Sequence, residues 1–309
     1  MKNRWVLIPI ILIVFLLGCR QKSTEQSSSK ILSVVTTTGM IADSTRAIAG
    51  ERADVIALMG PGVDPHLYKA SAGDVRRLQE ANLILFNGLH LESRMGEVLE
   101  KLAESRAVRA VAEAIPEQFL IPSQDYADAH DPHVWFDVSL WTYVAQAIAQ
   151  ELMAIDPEGK AVYEANLRRY LEELDSLERE VKDALAIVPE GQRILITAHD
   201  AFGYFGVAHD FEVKGLQGIS TVSEAGAKDV QQLADFIATQ GIPAVFVESS
   251  VPRRTIEALQ AAVQDRGFNV EIGGELFSDA MGEEGTVEGT YPGMVRHNTN
   301  AIAQALGEK

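Results

Sequence analysis

The chain has 309 residues, a formal charge of −17, seven histidines and one cysteine. Acidity on this scale works against nucleic acid or anionic lipid as a partner. A lone cysteine excludes an intrachain disulfide and any site built from several thiolates.

The first nineteen residues, MKNRWVLIPIILIVFLLGC, begin with Lys2 and Arg4 and continue into an apolar run, Trp5 to Leu17, that is short for a membrane span. Its end, Leu16-Leu17-Gly18-Cys19, resembles the bacterial lipoprotein signal, which implies loss of residues 1–18 and lipidation of Cys19 as the membrane anchor. The Ser-rich stretch 20–30 has no apolar periodicity, so residues 19–30 read as the lipidated cysteine and a flexible tether.

From Ile31 onward, short β-branched runs alternate with amphipathic segments. ILSVVT (31–36), ADVIALM (53–59), NLILFNG (82–88) and RAVRAVA (106–112) read as strands. Between the first three lie a helix closed by Gly50 and a helix with Ser71 as its N-cap. A further helix runs from about Val138 to Ile155. The rhythm then breaks into one long helical pattern, 157–188, introduced by Asp156-Pro157 as N-cap and first helical residue. Its apolar stripe is Tyr163, Leu167, Leu171, Leu174, Leu177, Val181 and Leu185. Strands resume with RILITAHD (193–200), FEVKGL, PAVFVES (243–249) and FNVEIGG, separated by helices that stop at Gly241 and Gly267. The last helix covers about Tyr291 to Leu306. The expected fold is α/β: a lobe at 31–156 and a lobe at 189–309, each with a roughly four-stranded parallel sheet flanked by helices, joined by the helix at 157–188.

In open parallel sheets, ligands collect at the carboxyl ends of strands. His66, His133 and His199 each follow a predicted strand, and Asp279 follows the last one, so two candidates from each half can converge between the lobes. His66 and His133 share a second feature: both end an Asp-Pro-His triplet, at 64–66 and 131–133. Proline fixes its own φ and biases its predecessor to an extended form, so the triplet is a pre-set presenter of an imidazole. Its aspartate is expected to orient loop amides or to bond a ring nitrogen. His130 reads as a loop residue, His90 as an outer neighbour of the cleft, and His209 and His297 as structural or exposed. For Asp200 and Glu248, strand-end carboxylates, ligand support and turn capping both stand open.

The ordered set GPGVDPHLY, NGLHLE, DPHVWFD, TAHDAFGYF, VKGLQGIS, VFVESS and IGGELFSDAMG…GTYPGMVRHN resembles the metal-binding lipoproteins of zinc and manganese ABC importers, with special similarity to their Tro-type branch. The likeness spans nearly all of the chain after the tether. It implies two α/β lobes bridged by one long helix, and metal ligands at His66, His133, His199 and Asp279. The histidine-rich loop of the zinc-selective branch is absent, since SQDYADAHDPH holds only His130 beside His133. Many manganese receptors carry glutamate where this chain has His199.

The resemblance implies an extracytoplasmic receptor, anchored through Cys19, that is monomeric and delivers a divalent ion to an ABC permease and its ATPase. Three imidazoles and a carboxylate suit Zn2+ or Mn2+, with Fe2+ as a third cargo, and zinc is expected to outcompete manganese in vitro. Four protein ligands leave no open position for hydrolytic chemistry, so no enzyme activity is expected. Because imidazole must be neutral to ligate, affinity is expected to fall below about pH 6.5. The competing reading is a surface adhesin whose metal is structural.

Overall fold

The central strands of the computed structural model have apolar residues on both faces, and the two faces feed different cores. The structure describes residues 31–123 and 129–307; the expected signal peptide, Cys19 and the tether lie outside them. In the first half, β1 (Leu32–Thr36), β2 (Ala53–Ala57), β3 (Leu83–Phe86) and β4 (Val108–Ala110) form one parallel sheet in the order β2-β1-β3-β4. Side chains alternate across a pleated strand. Val34, Leu83 and Leu85 therefore join the main core, while Val35 and Ile84 join a separate cluster with Leu78 and Leu99.

The second half repeats this arrangement. β5 (Ile194–His199) pairs parallel with β6 (Glu212–Gln217), and β7 (Ala244–Glu248) with β8 (Glu271–Leu276). Leu195 and Phe246 face the main core, whereas Ile196, Val245 and Val247 face a second cluster with Leu233 and Leu259. The expected four-stranded second sheet is thus resolved into two hydrogen-bonded pairs. Where β5 and β7 end together, the His199 N–H donates to the Glu248 carboxylate at 2.9 Å, so a side chain links the two strands.

The helices around these strands are α1 (Gly39–Ala49), α2 (Ala72–Glu80), α3 (Gly96–Ala103), α4 (Val138–Ile155), α5 (Lys160–Leu185), α6 (Gly203–His209), α7 (Ala227–Gln240), α8 (Arg254–Gln264) and α9 (Tyr291–Leu306). Ser71 caps α2 as expected, accepting the Asp74 N–H at 3.2 Å while Asp74 accepts the Ser71 N–H at 2.9 Å. The long helix is α5, 26 residues and about 39 Å, preceded by a 3₁₀ turn at Pro157–Gly159. Asp156 holds the N-cap position of that turn, with Pro157 following as expected, but its side chain caps nothing: the carboxylate is taken by Arg52 Nε and the Tyr163 hydroxyl, both at 2.7 Å.

The buried stripe of α5 is Tyr163, Asn166, Tyr170, Leu174, Leu177, Val181 and Leu185, with Leu167 and Leu171 half-buried beside it. It packs on α1 and α4 from the first half and on α9 from the second, so one core is continuous through both. No described helix is long and apolar enough to cross a membrane.

Candidate metal centre

The sheet order places a switch point between β1 and β3, where an open α/β sheet commonly receives its ligand. Here that crevice is filled by the chain itself. Glu92 is buried there and accepts from the Thr37 hydroxyl at 2.7 Å, the Asn87 N–H at 2.8 Å and the Gly88 N–H at 3.2 Å. The turn it anchors runs through the left-handed region at Gly88 (φ 85°), Leu89 (φ 52°) and His90 (φ 66°). Glycine is required at 88, because a Cβ would meet the Ala110 Cβ at 2.8 Å as well. Asn87 then donates to the Pro132 carbonyl at 3.0 Å and so fixes the loop that carries His133.

The two Asp-Pro-His triplets make the same turn. Asp64 Oδ1 accepts the His66 N–H at 2.8 Å, and Asp131 Oδ1 accepts the His133 N–H at 2.9 Å. Their remaining contacts differ. Asp131 Oδ1 also meets His133 Nδ1 at 2.7 Å, whereas Asp64 Oδ2 accepts from Thr221 Oγ1 at 2.5 Å, across to the second half. His199, the last residue of β5, has Glu248 Oε2 on its Nδ1 at 2.5 Å. Of the two roles that sequence left open for Glu248, these contacts favour support of the His199 ring over turn capping.

All four predicted residues come together. His66, His133, His199 and Asp279 each offer one donor atom within 4.8 Å of all the others. They are 2%, 0%, 0% and 2% exposed, respectively. Asp131 and Glu248 occupy Nδ1 of His133 and His199, so Nε2 of each ring is turned to the centre, where it offers a lone pair once the ring is neutral. Asp279 adds two oxygens that accept no hydrogen bond from any described residue, and His199 Nε2 is likewise unpartnered. Buried acceptors without donors are costly and call for a cation.

The spacing fits one. A divalent ion held tetrahedrally at about 2.0–2.1 Å has donor-to-donor edges of about 3.3–3.4 Å. His66 Nε2 lies 3.3 Å from His133 Nε2, His133 Nε2 3.4 Å from Asp279 Oδ1, and His199 Nε2 3.3 Å from Asp279 Oδ2. His66 Nε2 to Asp279 Oδ2 is longer, at 3.7 Å. Both carboxylate oxygens thus face imidazole nitrogens.

The electrostatics divide the histidines. Burial, with His133 and His199 nearby, pushes His66 down to about 3 despite Asp279. Burial also works against a charged His133, but Asp131 and Asp279 outweigh it and lift that ring to about 9. His199 is likewise raised, as Glu248 and Asp279 overcome burial. Burial would raise Asp279, yet His199 and His133 hold it well below the usual carboxylate range.

The other histidines stay outside the cluster. His90 and His130 line a cavity of about 490 Å³ with His66, Ile219 and Val222. His209 is buried against Phe205, and His297 Nε2 meets the Glu275 carbonyl at 3.0 Å. Asp200 takes no part in the cluster.

The family model for ZnuA, the zinc-uptake complex component A (periplasmic), matches residues 34–305. The chain belongs to this family. It is 54% identical over 273 residues, 88% of each chain, to the zinc-binding protein TroA of Treponema pallidum (strain Nichols). It is also 47% identical over 291 residues to the manganese-binding lipoprotein MntA of Bacillus subtilis (strain 168), covering 94% of this chain and 95% of that one. The solved structure of the periplasmic zinc-binding protein TroA from T. pallidum superposes with a TM-score of 0.88 at 53% identity, over 90% of this chain and 99% of the other. The expected fold class therefore stands.

Three side chains that contact the cluster or its loops went unread in the sequence. Asn87 and Thr221 lie in loops whose partners are 45 and 157 residues away. Trp135, two residues after His133, had a local signal, since it falls within the quoted DPHVWFD motif.

Proposed function

We propose that the chain is the substrate-binding receptor of a zinc or manganese ABC importer, which captures one divalent ion at His66, His133, His199 and Asp279 and delivers it to a membrane permease. One observation carries this reading: two buried carboxylate oxygens and a buried imidazole nitrogen without hydrogen-bond donors converge at the edge lengths of a coordination polyhedron. Three nitrogens and one carboxylate suit zinc with one oxygen bound and manganese or ferrous iron with both. Zinc wins on intrinsic affinity, so the cargo imported in the cell is set also by metal supply.

In this reading residues 31–156 and 189–309 act as lobes on the helix at 157–188. Continuity of one core through α5 supports small tilts over a wide hinge. Residues 1–18 are removed, lipidated Cys19 anchors a monomer outside the cytoplasm, and 20–30 is its tether. Four protein donors around the ion argue for transport rather than catalysis.

Metal content measured by mass spectrometry on protein from its native envelope tests the proposal, together with zinc–manganese competition in vitro. One ion per chain, lost on joint substitution of the four residues, is the expected result; metal-free protein that takes up neither ion overturns it.

A further inference from the structure

The Asp279 carboxylate receives no hydrogen bond from any described residue, so its placement is inherited from the backbone of residues 277–279. That backbone has three ties. Asn298 on α9 brackets Phe277, accepting its N–H at 2.9 Å and donating to its carbonyl at 2.7 Å. Ser278 Oγ meets Ser250 Oγ at 2.8 Å. Trp135 Nε1 donates to the Ser278 carbonyl at 2.9 Å.

The first two ties arise within the second half. Trp135 comes from the first half, two residues beyond His133. Its fully buried ring packs edge-on against the His133 imidazole at 5.2 Å between centroids, and its own carbonyl accepts the Tyr291 hydroxyl at 2.9 Å. One side chain thus touches the ring of one cluster residue and holds the peptide that precedes another.

We infer that Trp135 is a specificity-determining positioning residue: its indole N–H sets the reach between His133 and Asp279, so that both carboxylate oxygens face the imidazoles. The inference rests on the proposed ion site at His66, His133, His199 and Asp279. Zinc is satisfied by four donors and tolerates a carboxylate bound through one oxygen. Manganese favours oxygen donors and a higher coordination number, so it depends on both. Freeing the Ser278 carbonyl from the indole lets the carboxylate turn or recede, and manganese loses more than zinc.

The test compares wild type with Trp135→Phe, and with a chain carrying benzothienylalanine at 135, which keeps the bicyclic shape and lacks the N–H. Zinc and manganese dissociation constants are measured by chelator competition, and the coordination number of bound zinc by X-ray absorption. The expected result in both variants is manganese binding weakened about tenfold or more, with zinc changed by less than about threefold and its coordination number lowered. Ser250→Ala, which cuts a tie from within the second half, is expected to leave the zinc-to-manganese ratio unchanged. If Trp135→Phe does not fold, the benzothienylalanine chain decides. Wild type that binds neither ion overturns the proposed site; wild type that binds both, with an unchanged ratio in the variants, overturns the role of Trp135.

Discussion

Glu248 Oε2 sits 2.5 Å from His199 Nδ1, with both side chains fully buried, while Oε1 of the same carboxylate accepts the His199 N–H at 2.9 Å. One carboxylate therefore fixes the backbone, ring orientation and tautomer of a single cluster residue. His66 has no carboxylate on its Nδ1 among the described residues. Outer partners of this kind contribute about 10–100-fold in metal affinity. Glu248→Ala is expected to weaken zinc binding by about that range. Glu248→Gln, whose amide oxygen still accepts from Nδ1–H, is expected to lose less. Chelator competition ranks the three proteins, and equal affinity across them refutes the role of Glu248.

Ion binding is expected to release protons well above the pH that an ordinary histidine suggests. In the ion-free protein His133, at about 9, holds its second ring proton at neutral pH and His199 is shifted in the same direction by Glu248 and Asp279, whereas His66, at about 3, holds none. An incoming cation must displace those protons, so affinity rises with pH through neutrality and falls as pH drops. The window therefore lies above the value near 6.5 expected from free imidazole. Calorimetry at pH 7 in buffers of different ionisation enthalpy is expected to count about one to two protons released per zinc. A count of zero contradicts the assignment.

Because the cluster gathers residues from both halves, an ion bound there resists unfolding of the whole. At a free zinc concentration of about 100 times the dissociation constant, the added stability is about 2.7 kcal/mol. Thermal unfolding with and without zinc is expected to show a clear upward shift in wild type. The shift should disappear in Asp279→Ala, which removes both oxygens facing the three rings. A variant still stabilised as strongly as wild type places the ion elsewhere.

What sequence reveals here is mostly what the backbone decides locally. The repeated Asp-Pro-His foretells a turn, and both copies close it with nearly equal Asp-to-amide bonds. Strand ends foretell where His199 and Asp279 emerge. Partners brought together by folding are a different matter. Asp156 has the local features of an N-cap, yet Arg52, 104 residues earlier, takes its carboxylate. Asn166 and Tyr170 look like breaks in an apolar stripe, but they are buried because Asn166 donates to the Ile48 carbonyl at 2.9 Å and the Tyr170 hydroxyl meets Ser44 Oγ at 2.9 Å. A polar residue on a helix face carries no mark of whether a partner awaits it. The clustering of His66, His133, His199 and Asp279 was legible because strand ends are local; its supports, apart from Asp131, were not.

The joint between α4 and α5 is expected to be sensitive to a single methyl group. Asp156 holds Arg52 Nη2 at 2.6 Å and the Tyr163 hydroxyl at 2.7 Å, with both charged side chains mostly shielded. Gly159 lies against this triad, and a Cβ there would meet Arg52 Nε at 2.4 Å, Asp156 Oδ2 at 2.4 Å and the Tyr163 ring at 2.6 Å. Gly159→Ala must push the triad apart, at a cost of about 1–3 kcal/mol. Burial would raise Asp156, but Tyr163 and Arg52 outweigh it and hold the carboxyl below its usual value. Its contribution is therefore present above the unfolded carboxyl value, about 3.9, and lost as pH falls through the lower folded value. Urea unfolding is expected to show the part of the wild-type advantage that comes from this ion pair at pH 7 and to show it narrowing below about pH 4. A gap that stays constant in acid would assign the loss to packing alone.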